Sequence, residues 1–236
     1  MTQAQTHPTD KMIGEVHSVI TRRLLDTGKC PTRFEVASEL KVGVPEVEAR
    51  LHRLAETHGI VLHPHAPECW LIHPFSTLPT LTWVHAGKRG WWAPCVWCAL
   101  GVATLAGDRV QVHTRIGAEA EPVVIDVSDG VVSPASEHLV VHFSIPPRLA
   151  WQNFHQHCSL VVPFHSKEDG TQWCETHRQQ KGEFVPLATV AHLARAWYGT
   201  HANKDWRKWT VSQAEEIFRK SGLTSAFWAL EGEGVY

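Results

Sequence analysis

The 236-residue chain contains no run of about 18 apolar residues, the length a membrane-spanning helix needs. Its opening segment, MTQAQTHPTDKM, lacks the apolar centre of a secretory leader. Neither sign of charge dominates: 22 Lys and Arg stand against 24 Asp and Glu, a net charge of −2. No global positive field therefore draws the chain to nucleic acid or anionic lipid. Internal repeats and low-complexity tracts are absent too. What these absences leave is a soluble, cytoplasmic protein with no membrane partner. In a reducing compartment its six cysteines are expected as free thiols or ligands, not as a disulfide framework. Apolar residues at 43% and charged residues at 19% suit a globular chain with a sizeable core.

Histidine and tryptophan are abundant, at 17 and 11 residues. Residues 1–10 carry no pattern and are expected to be disordered. From Lys11, the residues Ile13, Val16, Ile20 and Leu24 recur at three and four, one face of a helix that Gly28 ends. A short helix fits residues 32–40. A third begins at Pro45, with Val47, Leu51 and Leu54 inward. Residues 60–62 and 70–72 read as a hairpin. Three helices and a hairpin follow the order of a winged helix-turn-helix. Residues 11–80 are assigned to that domain and residues 81–236 to a second one.

The second region opens on Trp91-Trp92-Ala93-Pro94-Cys95-Val96-Trp97-Cys98-Ala99-Leu100-Gly101, the densest segment of the chain. Residues 87–90 read as a turn before it, and the run from Pro94 to Leu105 suits a buried helix. Strand patterns follow at 110–114, 123–127, 139–143 and 160–164, with turn signals at Gly107-Asp108 and Asp129-Gly130. A helix covers 186–198. Thr210 with Gln213 makes a capping box for a last one, apolar at Ala214, Ile217 and Phe218. The expected class is α+β: a winged-helix-like three-helix domain with a hairpin, then a mixed domain of a small, mostly antiparallel sheet with flanking helices.

Three thiols carry the chemistry. Cys95 and Cys98 lie in the first turn of the expected helix, where the dipole and free N–H groups lower a thiol pKa. Cys158 follows His155 and His157 at the entrance of a strand. Thiolates are the preferred ligands of soft metals. Cys30, Cys69 and Cys174 read as small core hydrophobes. His63, His65 and His73, on or near the hairpin, are expected in water, and His113 and His142 against water or a polar partner. Trp92 and Trp97 are candidates for the wall of an apolar cavity. Trp206-Arg207-Lys208-Trp209 fits surface docking or an internal cation–π contact.

The segment Trp97-Cys98-Ala99-Leu100, with Thr104-Leu105 behind it, resembles the first catalytic-cysteine motif of the organomercurial (alkylmercury) lyases. Cys158, 60 residues on, with Phe164 and Trp173 beyond it, falls where the family has its second cysteine. The resemblance implies that the thiolates of Cys98 and Cys158 grip the mercury of an organomercurial. An acid then protonates the leaving carbon, and mercuric ion passes to cellular thiols. No cofactor is required; mercury or zinc is the metal that fits the site. The family carries a carboxylate three residues after its first cysteine, where this chain has Gly101. Cys95 could supply a third thiol, or His155 or His157 could carry the proton. Otherwise the lyase chemistry is lost and the fold serves another substrate.

Rival readings remain. Cys95, Cys98 and Cys158 with His155 or His157 make the donor set of a closed zinc site or sensor. A winged-helix regulator would use residues 45–58, but Glu46 and Glu48 make the start of that helix acidic where phosphate contacts belong. Nucleic acid is therefore not expected as a partner. A thiol–disulfide enzyme would need a βαβ context with a strand leading into the Cys-x-x-Cys, and only residues 81–84 offer one.

Overall fold

The computed structural model describes residues 8–107, 109–150, 153–231 and 235–236. Its first helix, α1 (Pro8–Thr27), buries the expected face of Ile13, Val16, Ile20 and Leu24. It starts three residues earlier than the apolar periodicity does. The rest of the segment expected to be disordered, residues 1–7, lies outside the described residues, as does Asp108 of the expected turn. Helix α2 (Arg33–Leu40) opens on a reciprocal cap between Thr32 and Glu35 and closes at Lys41, which takes a left-handed conformation. Helix α3 (Val44–Glu56) has Pro45 in its first turn and buries Val47, Leu51 and Leu54. Strands β1 (Val61–Leu62) and β2 (Cys69–Ile72) then pair antiparallel.

That pair is continuous with the central sheet. Strand β3 (Phe75–Ser76) bonds β2 on one side and β5 (Arg89–Ala93) on the other. With β4 (Thr82–Ala86), β6 (Arg109–Arg115), β7 (Pro122–Ser128) and β8 (Val131–Val132), the antiparallel sheet has eight strands in the order β1-β2-β3-β5-β4-β6-β7-β8. The turn expected over 87–90 is tighter than that: Gly87, at φ 61°, and Lys88 make it, and Arg89 pairs with Ala86 across the hairpin.

Helix α4 (Val96–Ala106) is buried all round from Val96 to Ala103, so it can only lie at the centre. It packs on β4, β5 and β6 on one side and on α8 (Leu187–Tyr198) on the other. Each large apolar side chain so buried contributes about 1.5–3 kcal/mol. A second antiparallel sheet orders β10 (Val161–Phe164), β9 (Val140–Phe143) and β11 (Glu183–Pro186). Around it lie α5 (Pro147–Ala150), α6 (Phe154–Ser159), α7 (Lys167–His177) and α9 (Val211–Lys220), the last opened by the expected Thr210–Gln213 capping box. Helix α7 has no counterpart in the sequence pattern because it buries only Gly170 and Cys174. Among the described residues no helix is long and apolar enough to cross a membrane.

Candidate functional site

Four pieces of chain meet at the N-terminus of α4. Strand β5 leads through Pro94 into Cys95, which caps α4 by accepting the Cys98 N–H on its sulfur at 3.4 Å. Helix α6, itself capped by Asn153, carries His157 and Cys158 in its last turn. The connection between β2 and β3 brings His73, whose Nε2 lies 3.7 Å from Cys158 Sγ. The end of α8 brings Tyr198, whose hydroxyl lies 3.5 Å from Cys98 Sγ. One ligand atom each of His73, Cys98 and Cys158 falls within 4.8 Å of the others. The Cys95 sulfur interacts with both other thiols.

This arrangement sets the three sulfurs apart in acidity. Burial opposes ionisation of Cys95, but hydrogen bonds from the Cys158 and Cys98 thiols and the Cys98 N–H outweigh it, holding its pKa well below the ordinary value. Burial pushes Cys98 well up, and the neighbouring Cys95 sulfur adds to the rise. Cys158 is pushed well up by its hydrogen bonds to Cys95 and Cys98, then by burial. Of the three sulfurs, Cys95 is the one that gives up its proton most readily. Burial, reinforced by the neighbouring Cys98 and Cys95 sulfurs, pushes the Tyr198 hydroxyl well above its ordinary value. Burial also lowers His73 to about 4, so its imidazole is neutral and able to ligate.

The thiols stand between two spaces. On one side a cavity of about 60 Å³ is lined by Cys98, Cys158, His73, His157, Trp97 and Tyr198. Its far end is closed by His17, His201, Trp206 and Lys208. There the His17 ring stacks on Trp206 at 3.5 Å, and Lys208 Nζ donates to the Thr57 carbonyl. Burial lowers His201 to about 3 and Lys208 to about 7. On the other side a groove of about 300 Å³ is bordered by Cys95, Cys158 and His155.

Cys95, Cys98 and Cys158, 95 to 158 in the chain, thus come together, with His157 and Trp97 beside them. His155 is exposed on the groove side. Trp92 does not line the cavity: strand alternation turns it away from buried Trp91, and its ring meets Trp83 edge-on at 5.2 Å. His63 and His65 are exposed as expected, but His73 is not a solvated hairpin residue, because the turn into β3 folds it over Cys158. The Trp206–Trp209 patch is no docking surface: Trp206 is buried against His17, and Trp209 Nε1 donates to the Trp197 carbonyl at 3.1 Å. Cys174 is buried beside His142, whereas Cys30 and Cys69 are half-buried. The pattern missed His73 and Tyr198, which lie 85 and 100 residues from their partner sulfurs. The one signal for Tyr198 was its place on the apolar face of α8.

Gly101 is filled from outside. A Cβ there would lie 2.3 Å from Cδ2 of Tyr198. The tyrosine ring therefore occupies the space that any side chain at this position would take.

An α+β frame holding two buried sulfurs and a neutral imidazole around a cavity, with a third sulfur behind them, defines a thiol protein suited to soft-metal chemistry. The family model for alkylmercury lyase, MerB, matches residues 75–199, and the chain belongs to this family. Among solved structures, the chain is similar to that titled as the mercury-bound form of MerB2, at 20% identity and a TM-score of 0.63. The alignment covers 84% of this chain and 98% of that one, a likeness of fold. No protein with a curated description matches the chain.

Proposed function

We propose that this chain cleaves carbon–mercury bonds by protonolysis, with an organomercurial as substrate and cellular thiols as acceptors of the mercuric ion. The observation that carries the reading is the placement of Cys98 and Cys158 with His73 at one point, inside a cavity with an aromatic wall. Cys95, the most readily ionised of the three sulfurs, makes first contact with mercury. One of Cys98 and Cys158 then holds it through sulfur, and the other closes on the metal as the carbon takes a proton, leaving a dithiolate of divalent mercury. His73 offers a neutral nitrogen donor. The chemistry requires no cofactor, since mercury stays divalent throughout.

The test is hydrocarbon release from an aryl or alkyl mercurial in excess thiol. Release by the wild-type chain, lost in Cys98→Ser and in Cys158→Ser, supports the reading. A chain that binds the mercurial through its thiols and releases no hydrocarbon overturns it.

A non-catalytic metal site is the second reading, favoured by the same trio with Cys95 as a fourth donor, the Cys₃His set of structural zinc. Zinc retained through purification at one per chain would favour it. A DNA-binding role has less support. Arg50 and Arg53 of α3 pair with Glu15, Glu46 and Glu56, and Arg33 of α2 with Glu48 and Glu68, leaving these cations engaged within the protein.

A further inference from the structure

Protonolysis needs a proton delivered at the carbon as the metal–carbon bond breaks. Among the described residues, no Asp or Glu side chain lines the cavity. Residue 101, one turn past Cys98 on α4, has no side chain. The group that fills its place is the ring of Tyr198, and the hydroxyl of that ring reaches Cys98 Sγ at 3.5 Å. Tyr198 is 2% exposed and borders the cavity, so its proton meets the site and not bulk water. His73 is placed differently: its Nε2 faces Cys158 within the ligand trio, a position for holding the metal.

We propose that Tyr198 is the proton donor of this site, a phenol standing where α4 carries no acid. The inference rests on the lyase reading. An organomercury group R–Hg, already bonded to the sulfur of one cysteine, meets the thiol of the other. The Tyr198 O–H proton passes to the carbon, and the electron pair of the carbon–mercury bond becomes the new C–H bond. The thiol proton of the second cysteine replaces the one Tyr198 gave up, and that sulfur bonds mercury with its freed pair. The products are R–H and a dithiolate of divalent mercury. Atoms and charge balance, and nothing is oxidised or reduced.

Tyr198→Phe keeps the ring that packs on Gly101 and deletes only the hydroxyl. The probe is phenylmercuric acetate in excess cysteine, with benzene release, mercury bound per chain and the protein–phenylmercury adduct followed by mass spectrometry. General acid catalysis is worth about 10²–10⁴-fold, so Tyr198→Phe should release benzene at least about a hundredfold more slowly. It should bind mercury at the wild-type ratio and accumulate the adduct. Benzene release at the wild-type rate overturns the assignment of Tyr198 alone. Loss of binding in step with release also overturns it, since Tyr198 would then only be ordering the thiols. A wild-type chain that forms the adduct and never releases benzene overturns the lyase reading, and this assignment with it.

Discussion

Two cysteine–histidine contacts in this molecule are almost the same length and have opposite characters. Cys158 Sγ lies 3.7 Å from His73 Nε2, and Cys174 Sγ lies 3.6 Å from His142 Nε2. The second pair is closed by backbone: His142 Nε2 also meets the Lys181 carbonyl at 2.9 Å, and Cys174 donates to the Gln180 carbonyl. These contacts hold β9 and α7 against the 180–181 loop. The first pair shares its ligand group with a second sulfur, Cys98, and faces a cavity. A thiol beside an imidazole is thus no sign of chemistry by itself; a second sulfur and adjoining space make the difference.

The sharpest break in that comparison is mutational. Cys98→Ser or Cys158→Ser should abolish hydrocarbon release, whereas Cys174→Ser should leave it within about twofold while lowering stability by about 1–3 kcal/mol, as expected for a buried polar contact disturbed. Release assays beside urea melts separate the two outcomes.

Cys95→Ser should slow capture of the mercurial at pH 7 by about tenfold or more. The variant loses the sulfur that ionises most readily, the one held below the ordinary thiol range of about 8.5. Rates of alkylation against pH check this: the wild-type midpoint should lie below that range and the variant midpoint should move up into it.

Gly101→Asp looks from the sequence like restoration of a missing acid and should raise release. The structure reverses that expectation. The new Cβ meets the Tyr198 ring, so the variant should lose about 1–3 kcal/mol by overpacking and gain no activity. A melting midpoint lowered by several degrees would show it, at about 2–4 °C per kcal/mol for a chain of this size.

Effects that show only against pH lie at the far end of the cavity. His201 has a folded pKa of about 3 against about 6.5 unfolded, so the unfolded state binds more protons between those values. Stability is full above about pH 6.5 and falls as the medium is acidified toward 3. Lys208, at about 7 when folded against about 10.4 unfolded, has its cost fully present below pH 7 and relieved as pH rises toward 10. His201→Gln should flatten the acid limb of stability against pH, and Lys208→Met the alkaline limb, by a few kcal/mol at about 1.4 kcal/mol per pKa unit.

Periodicity made much of the fold legible. The apolar faces of α1, α3 and α8, the alternation of β6 and β7 and the capping box of α9 are local signals, and each element formed where its signal lay. Helix α7 escaped because its stability comes from Ser166 at its cap and Glu168 and Asp169 in its first turn rather than from an apolar stripe. Strand β5 was read as turn and motif because Gly90 interrupts it, and Trp83 lies over that glycine. A strand therefore does run into the Cys-x-x-Cys, but its neighbours are antiparallel, so the βαβ setting of a thiol–disulfide enzyme is absent around it. At the site, the two cysteines of the family motif could be named from residue type and spacing. His73 and Tyr198 could not, since only the folded chain sets them beside those sulfurs.

The continuity of β2, β3 and β5 bears on how this scaffold could be divided. The stretch matching the family model begins at Phe75, two residues beyond His73, and stops at Gly199, short of Trp206 and Lys208. A chimera built from that stretch would inherit the sulfurs and the phenol. It would arrive without the imidazole above Cys158 and without the far wall of the chamber, both supplied by flanks that the motif never mentions.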